Sequence, residues 1–174
     1  MKKIQLCIWI ICTILSFNSC APLKDPIIIA NADISSYKYI YITPTQVITS
    51  SSGGIVANQF GVYDTTDIKS INPSDIISGV LLKQGYIIIP HLNSELYNDT
   101  LIVNYGESGR RNRGLGYTIE VTIQFISAKT NELIYSCTAE GQGSKETDDI
   151  RIAINRALSS IPSKKNKITV LPSW

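Results

Sequence analysis

Histidine is almost missing from this chain of 174 residues, which contains His91 alone. A single imidazole provides neither the ligand cluster of a zinc site nor a base for a nucleophilic thiol. The Gly-Glu-Ser-Gly segment around Glu107 and Ser108 has no second carboxylate or base nearby in the sequence, and it does not have the pattern of a nucleophile elbow. We therefore predict no catalytic residue, no metal ion and no cofactor.

An excess of charge is missing as well. Lys2 and Lys3 account for the whole surplus of 16 basic over 14 acidic residues, so the rest of the chain is formally neutral. A neutral domain exerts no bulk attraction on nucleic acid or on anionic lipid. We expect no nucleic-acid partner.

Cysteine is scarce beyond the N-terminal segment. Of the four cysteines, Cys7 and Cys12 lie in the first apolar run, Cys20 follows it, and Cys137 alone lies in the body of the chain. An exported domain with one thiol forms no internal disulfide. Cys137 falls at an apolar position of a predicted strand, which indicates a buried core residue.

The first apolar run, Ile4 to Phe17, is too short to cross a bilayer comfortably. It follows Lys2 and Lys3 and has the pattern of a signal peptide. Its end, Phe17-Asn18-Ser19-Cys20, resembles a bacterial lipobox of the looser kind found in Bacteroidetes lipoproteins. We predict lipidation at Cys20, which would anchor the protein to a membrane. The alternatives are an ordinary signal peptide cut nearby and an uncleaved, anchored helix.

The pattern divides the chain into a signal peptide over residues 1–20, a tether over 21–35 and one domain over 36–174. Pro22 and Pro26 indicate an extended tether, in which Ile27 to Ile29 could dock on the domain. Ala21, directly after the cysteine, resembles the outer-membrane sorting signal of enterobacterial lipoproteins. Only Asp25 follows where Bacteroidetes surface-export signals have an acidic run, so we expect a domain on the outer membrane that faces the periplasm.

The segment from Tyr117 to Gly141 has the pattern of one long β-hairpin around which the other elements pack. From Tyr117 to Phe125, apolar residues alternate with polar ones, which is the period of a strand with one buried face. The return strand alternates in the same way from Leu133 to Ala139. Between them, Ser127 to Glu132 predicts a turn in which Asn131 adopts a left-handed conformation.

Two helices and three further strands complete the prediction. Strands are expected over 37–43, 86–90 and 100–104, and Ile168 to Leu171 could add a short last one. Asn72 and Pro73 start a helix that Gly85 ends, and a second helix, capped by Ser144 or Thr147, ends before Pro162. We predict an α/β (α+β) two-layer sandwich: a mixed sheet of about five strands, a long antiparallel hairpin and two main helices.

Two long segments, 44–71 and 105–116, are longer than their connections require. The first is interpreted as a surface excursion in which Gln46 to Thr49 could pair with Ile55 to Gln59, and the second as a loop. Because function tends to lie on loops held by a scaffold, we predict a partner-binding surface there. Its residues are Phe60, Tyr63, Arg110, Arg111 and Arg113. Asp64-Thr65-Thr66 resembles an O-glycosylation motif of Bacteroidetes envelope proteins, which makes Thr65 a candidate.

The order of strand, capped helix, strand, strand, long hairpin and helix resembles that of small bacterial lipoprotein domains. They include the curli-secretion lipoprotein, the lipoprotein activators of penicillin-binding proteins and the amino-terminal domain of the Tol-Pal propeller protein. The matching pieces are Ser74 to Pro90, Thr100 to Asn104 and Gly116 to Gly141. The resemblance implies a non-catalytic envelope lipoprotein that binds another envelope protein. An oligomeric assembly or secretion subunit and an envelope hydrolase are the alternatives.

Overall fold

The computed structural model describes residues 22–58, 61–113 and 116–164. This part of the chain forms eight β-strands, two α-helices and short 3₁₀ helices at Ile34–Ser36 and Ser94–Asp99. The strands are β1 (Ile27–Ala30), β2 (Tyr39–Ile42), β3 (Ile48–Asn58), β4 (Gly61–Ile71), β5 (Ile87–Ile88), β6 (Thr100–Arg113), β7 (Gly116–Ser127) and β8 (Leu133–Gly141); the helices are α1 (Pro73–Lys83) and α2 (Glu146–Leu158). None of the described helices is long and apolar enough to cross a membrane.

Six strands form the main sheet in the order β1-β8-β7-β6-β2-β5, and β3 pairs with β4 in a separate two-stranded sheet. Strand β2, which lies between β6 and the edge strand β5, is parallel to both, while the other pairs of this sheet are antiparallel. The predicted α+β class with a mixed sheet and two main helices is therefore confirmed, although the sheet has six strands instead of about five. The possible last strand, Ile168 to Leu171, lies outside the described residues.

Helix α1 follows the β3–β4 hairpin in the connection between the parallel neighbours β2 and β5, and it begins and ends where predicted. The side chain of Asn72 accepts a hydrogen bond from the Ser74 backbone amide at 3.2 Å, and Pro73 occupies the first helical position. Gly85, with φ of 92°, lies just beyond the helix. A left-handed residue at this point is the usual way to end a helix without a Cβ clash.

Helix α2 covers one face of the sheet. Its apolar stripe includes Ile150, Ala153 and Ile154, none of which is exposed, and it packs on β7 and β8. The predicted caps are wrong, because the N-cap is Lys145, whose side chain makes no capping hydrogen bond. The helix start is instead favoured by Glu146, Asp148 and Asp149, whose negative charges lie at the positive end of the helix dipole.

The predicted hairpin is confirmed as β7 and β8. Asn131 has the left-handed φ of 57° expected for its turn. Val121, Ile123, Phe125 and Cys137 are completely buried beneath α2. Burial raises the pKa of the Cys137 thiol to about 12, as expected for a core cysteine.

Residues 105–113 and 116 lie in strands and not in a loop, in contrast to the prediction for 105–116. Strand β6 continues to Arg113, which pairs with Gly116 at the start of β7. A register shift between Glu107 and Gly109 interrupts the pairing once. Glycine has a weak intrinsic preference for strands, but pairing with β7 satisfies the backbone groups of this segment.

The segment 44–71 also folds differently from the prediction. It forms the β3–β4 hairpin, in which Ile48 pairs with Ile71 and Asn58 with Gly61. The predicted pairing of 46–49 with 55–59 is wrong, because Gly53 and Gly54 lie within β3 and do not form its turn.

The described part of the predicted tether belongs to the folded domain. Ile27 to Ala30 form β1, which pairs with β8 from Thr138 to Tyr135. Asp33 caps the following 3₁₀ helix by accepting a hydrogen bond from the Ser35 amide at 2.9 Å. The docking considered for Ile27 to Ile29 thus takes the form of a strand at the edge of the main sheet.

Candidate functional site

The two segments predicted to bind a partner converge on the first turn of α2. At the base of the β3–β4 hairpin, the hydroxyls of Ser50 and Thr147 are 2.8 Å apart, and Lys69 Nζ lies 3.2 Å from Asp148 Oδ1. Asp67 forms an ion pair with Lys145 beside them. These contacts fix the hairpin to the helix at its base.

Arg110, on β6, reaches the same turn from the other side. Its Nη2 donates to Glu146 Oε1 at 2.5 Å and lies 3.4 Å from Glu107 Oε2. The hydrogen bond with Glu146 raises the pKa of the Arg110 guanidinium. The guanidinium also lies 5.3 Å from the centre of the Tyr117 ring. Because its side chain is 50% exposed, Arg110 remains available to a partner.

Arg111 points to the opposite face of the sheet and has a structural role. Its Nε and Nη2 donate to the two carboxylate oxygens of Glu140 at 2.9 and 2.6 Å. Glu140 is only 2% exposed, and its Oε2 also accepts a hydrogen bond from the Lys24 amide at 3.1 Å. The hydrogen bond from Arg111 is the main reason that the pKa of Glu140 falls from 4.5 to about 2. A buried carboxylate without this partner is costly.

This ion pair predicts a specific acid dependence of stability. Because the folded-state pKa of Glu140 is below its usual value of 4.5, its contribution is complete above about pH 4.5 and is lost as the pH falls towards 2. We expect Arg111→Ala to lower the urea midpoint at about pH 7 and to flatten its fall between about pH 5 and pH 3. Arg110→Ala removes an exposed ion pair, so its urea midpoint should fall with decreasing pH as in the wild type. A parallel acid profile for Arg111→Ala would contradict the assignment.

The remaining predicted site residues are dispersed. Arg113 ends β6 and donates to Gln142 Oε1 at 2.5 Å. Tyr63 and Thr65 lie in β4, where they are register partners of Val56 and Gly54 in β3. Thr65 is therefore in a strand, whereas the sequence predicted a surface excursion. The side chains of Tyr63 and Thr65, and all of Phe60 and Cys20, lie outside the described residues. The arginines are thus placed, while the aromatic part of the predicted surface stays a prediction.

A groove of about 480 Å³ between α1 and α2 was not anticipated from the sequence. Its lining combines apolar, acidic, basic and amide groups: Ser70, Ile71, Asn72, Asp75, Ile76, Gly79, Val80, Lys83, Arg151 and Asn155. Part of its lining could have been recognised in the sequence of α2. Arg151 and Asn155 are four residues apart, so they lie on one face of the helix, next to its buried stripe. The position of α1 beside them is a tertiary feature.

His91 lies on the surface after β5. Within residues 22–58, 61–113 and 116–164, no three His, Cys, Asp or Glu side chains are grouped in a way that could hold a metal ion.

No protein-family model and no curated protein matches this chain. Among solved structures, a PelC dodecamer from Paraburkholderia phytofirmans is similar, with a TM-score of 0.46 and 13% identity over 80% of this chain and 99% of that chain. A second PelC dodecamer structure from the same organism has the same score and identity over 78% of this chain and 97% of that chain. A likeness at this level carries no conclusion about function. The resemblance to curli-secretion, penicillin-binding-protein-activator and Tol-Pal domains stays a prediction.

Proposed function

We propose that this chain is a non-catalytic lipoprotein of the bacterial outer membrane, anchored through Cys20 and facing the periplasm. It binds another envelope protein at the end of the domain where β6, α2 and the β3–β4 hairpin meet. The observation that carries the binding site is the convergence of Arg110 and the hairpin base on the first turn of α2. A helix terminus packed on the sheet holds both segments in a fixed relation.

The β3–β4 hairpin is not part of the main sheet, so its presence is better explained by a binding role. Strands β3 and β4 have 11 residues each, and within the described part of the chain they pair only with each other. An isolated two-stranded hairpin is at best marginally stable in water, so its fixation to α2 is necessary for order at its base. Val47 and Ile68, at this base, are each 63% exposed. Exposed aliphatic groups and a half-exposed arginine around one helix turn suit a protein interface.

The anchor is tested by replacing the predicted lipid acceptor. We expect Cys20→Ser to abolish acyl labelling and to release the protein from the membrane fraction, or to block its processing, because the modified thiol is gone. The measurement is fractionation of the envelope together with metabolic labelling by a fatty acid. Unchanged labelling and unchanged outer-membrane fractionation would refute the anchor.

The binding site is tested by site-specific photo-crosslinking in the native envelope. A photoreactive residue at Ile68 should capture an envelope protein, whereas one at Leu82, which is 54% exposed on α1, should not. Arg110→Ala should reduce the yield at position 68 roughly fivefold or more, because an interface arginine often contributes over about 1 kcal/mol. Its thermal stability should change by less than about 1 kcal/mol, since the lost ion pairs are exposed.

The matched control for this experiment is Lys129→Ala, in the exposed turn at the opposite end of β7. It should leave the yield unchanged. Equal capture at positions 68 and 82, or full capture in the Arg110→Ala variant, would place the binding site elsewhere. Capture of a second copy of this chain, with a discrete large oligomer by size, would favour the assembly-subunit alternative.

A further inference from the structure

Strand β1 is an apolar edge of the main sheet. It pairs with β8 on one side, and among residues 22–58, 61–113 and 116–164 no strand pairs with its other side. Ile27, Ile28 and Ile29 are exposed at 57%, 44% and 52%. Proteins usually shorten, charge or cover such an edge, because it offers both apolar side chains and unpaired backbone groups. We therefore expect another surface to cover the three exposed isoleucines.

The chain just before β1 is held firmly on the domain. The Lys24 amide donates to Glu140 Oε2 at 3.1 Å, and Arg156 Nη2 donates to the Lys24 carbonyl at 2.8 Å. Lys24 Nζ also lies 3.6 Å from Glu140 Oε1. Since Glu140 and Arg156 belong to β8 and α2, the position of Lys24 is set by the two central elements of the fold.

Few residues separate this attachment from the predicted lipid. An extended chain covers at most about 3.6 Å per residue, so Cys20 lies within roughly 14 Å of Lys24. The headgroup layer on each side of a bilayer is about 5–8 Å thick. A lipid at Cys20 would therefore hold the domain directly against the membrane, close to the sheet edge formed by β1.

We propose that the β1 edge, Ile27 to Ile29, lies in the interfacial layer of the lipid bilayer. This inference rests on the proposed anchor at Cys20. Apolar contact is the driving force, because Lys24 and Asp25 next to the strand cancel in charge. The backbone groups of the outer edge meet polar headgroups, since an open sheet edge is not tolerated in the hydrocarbon region. The sheet then stands on its β1 edge, with β5 five strand spacings, or about 24 Å, above it.

The two edges of the sheet provide a matched pair of reporters. Ile28 on β1 and Ile87 on β5 are each 44% exposed. Full-length protein with Ile28→Cys or Ile87→Cys is labelled with a nitroxide in its native membrane, and the label's accessibility to oxygen and to a water-soluble nickel complex is measured. Cys137 stays unlabelled because it is fully buried. Ile29→Cys, at a second exposed position, repeats the β1 measurement.

The expected result is an oxygen-to-nickel accessibility ratio at least about threefold higher at Ile28 and Ile29 than at Ile87, because oxygen partitions into lipid and the nickel complex does not. Equal, water-like ratios in a protein that is acylated and in the membrane fraction would overturn the inference while leaving the anchor intact. Shielding of the β1 labels from both reagents would also overturn it, because a protein strand would then cover the edge. Loss of acylation or membrane fractionation in the unmodified protein would remove the anchor and this inference together.

Discussion

Gly141→Ala is expected to destabilise the domain on the order of 3 kcal/mol or more. A Cβ atom at this position would lie 2.6 Å from the Ala153 backbone nitrogen and closer still to the Asp149 carbonyl oxygen. Both atoms belong to the backbone of α2, so no side-chain rotation removes the overlap. The helix must shift away from β8, which opens the contact that covers Cys137 and the rest of the sheet centre.

The measurement is the unfolding free energy of the purified domain, with a melting temperature expected to fall by roughly 10 °C. Gly106→Ala is the control, because a Cβ there meets no atom within 4 Å. It should change the stability by less than about 1 kcal/mol, with a small gain as the expected direction. Equal effects of the two substitutions would show that α2 does not lie against Gly141.

Ile154→Ala is expected to cost about 2–5 kcal/mol. Ile154 is completely buried on the face of α2 that packs against β7 and β8. Removing three carbon atoms there leaves a cavity, because neighbours fixed on strands move little to fill it.

Asn155→Ala provides the control for this change, since Asn155 is the next residue of the same helix and is exposed. It should change the stability by less than about 0.5 kcal/mol. Denaturant unfolding of both variants gives the comparison. A loss below about 0.5 kcal/mol for Ile154→Ala would place this face of α2 in solvent and contradict the packing.

The elements that sequence reasoning identified are those whose pattern is local. The period-two alternation from Tyr117 to Phe125 and the helical spacing of Ile150, Ile154 and Leu158 each align the apolar residues of one segment. The apolar face of such a segment is buried regardless of which other element packs against it. Asn131 was identified for the same reason, since its left-handed conformation belongs to the turn itself.

The elements that sequence reasoning missed derive their structure from distant partners. The segment 105–113 lacks alternation, yet it is a strand because β7 pairs with it from Tyr105–Ile123 to Arg113–Gly116. The β3–β4 register and the pairing of Ile27 to Ala30 with β8 are likewise contacts between separate segments. Backbone hydrogen bonds between strands do not require particular side chains, so the composition of a strand does not identify its partner.

Residue order was enough to predict the central hairpin, both helices, the apolar face around Cys137 and the α+β class, because it sets which face of an element is apolar. The roles of the two arginines depend instead on contacts between separate strands. Arg110 and Arg111 are neighbours in the chain, but the pleat of β6 sends them to opposite faces of the sheet. One lies half exposed beside α2, and the other neutralises Glu140, which is 29 residues away. Only the register of β6, β7 and β8 brings that carboxylate to Arg111, and register depends on all three strands together.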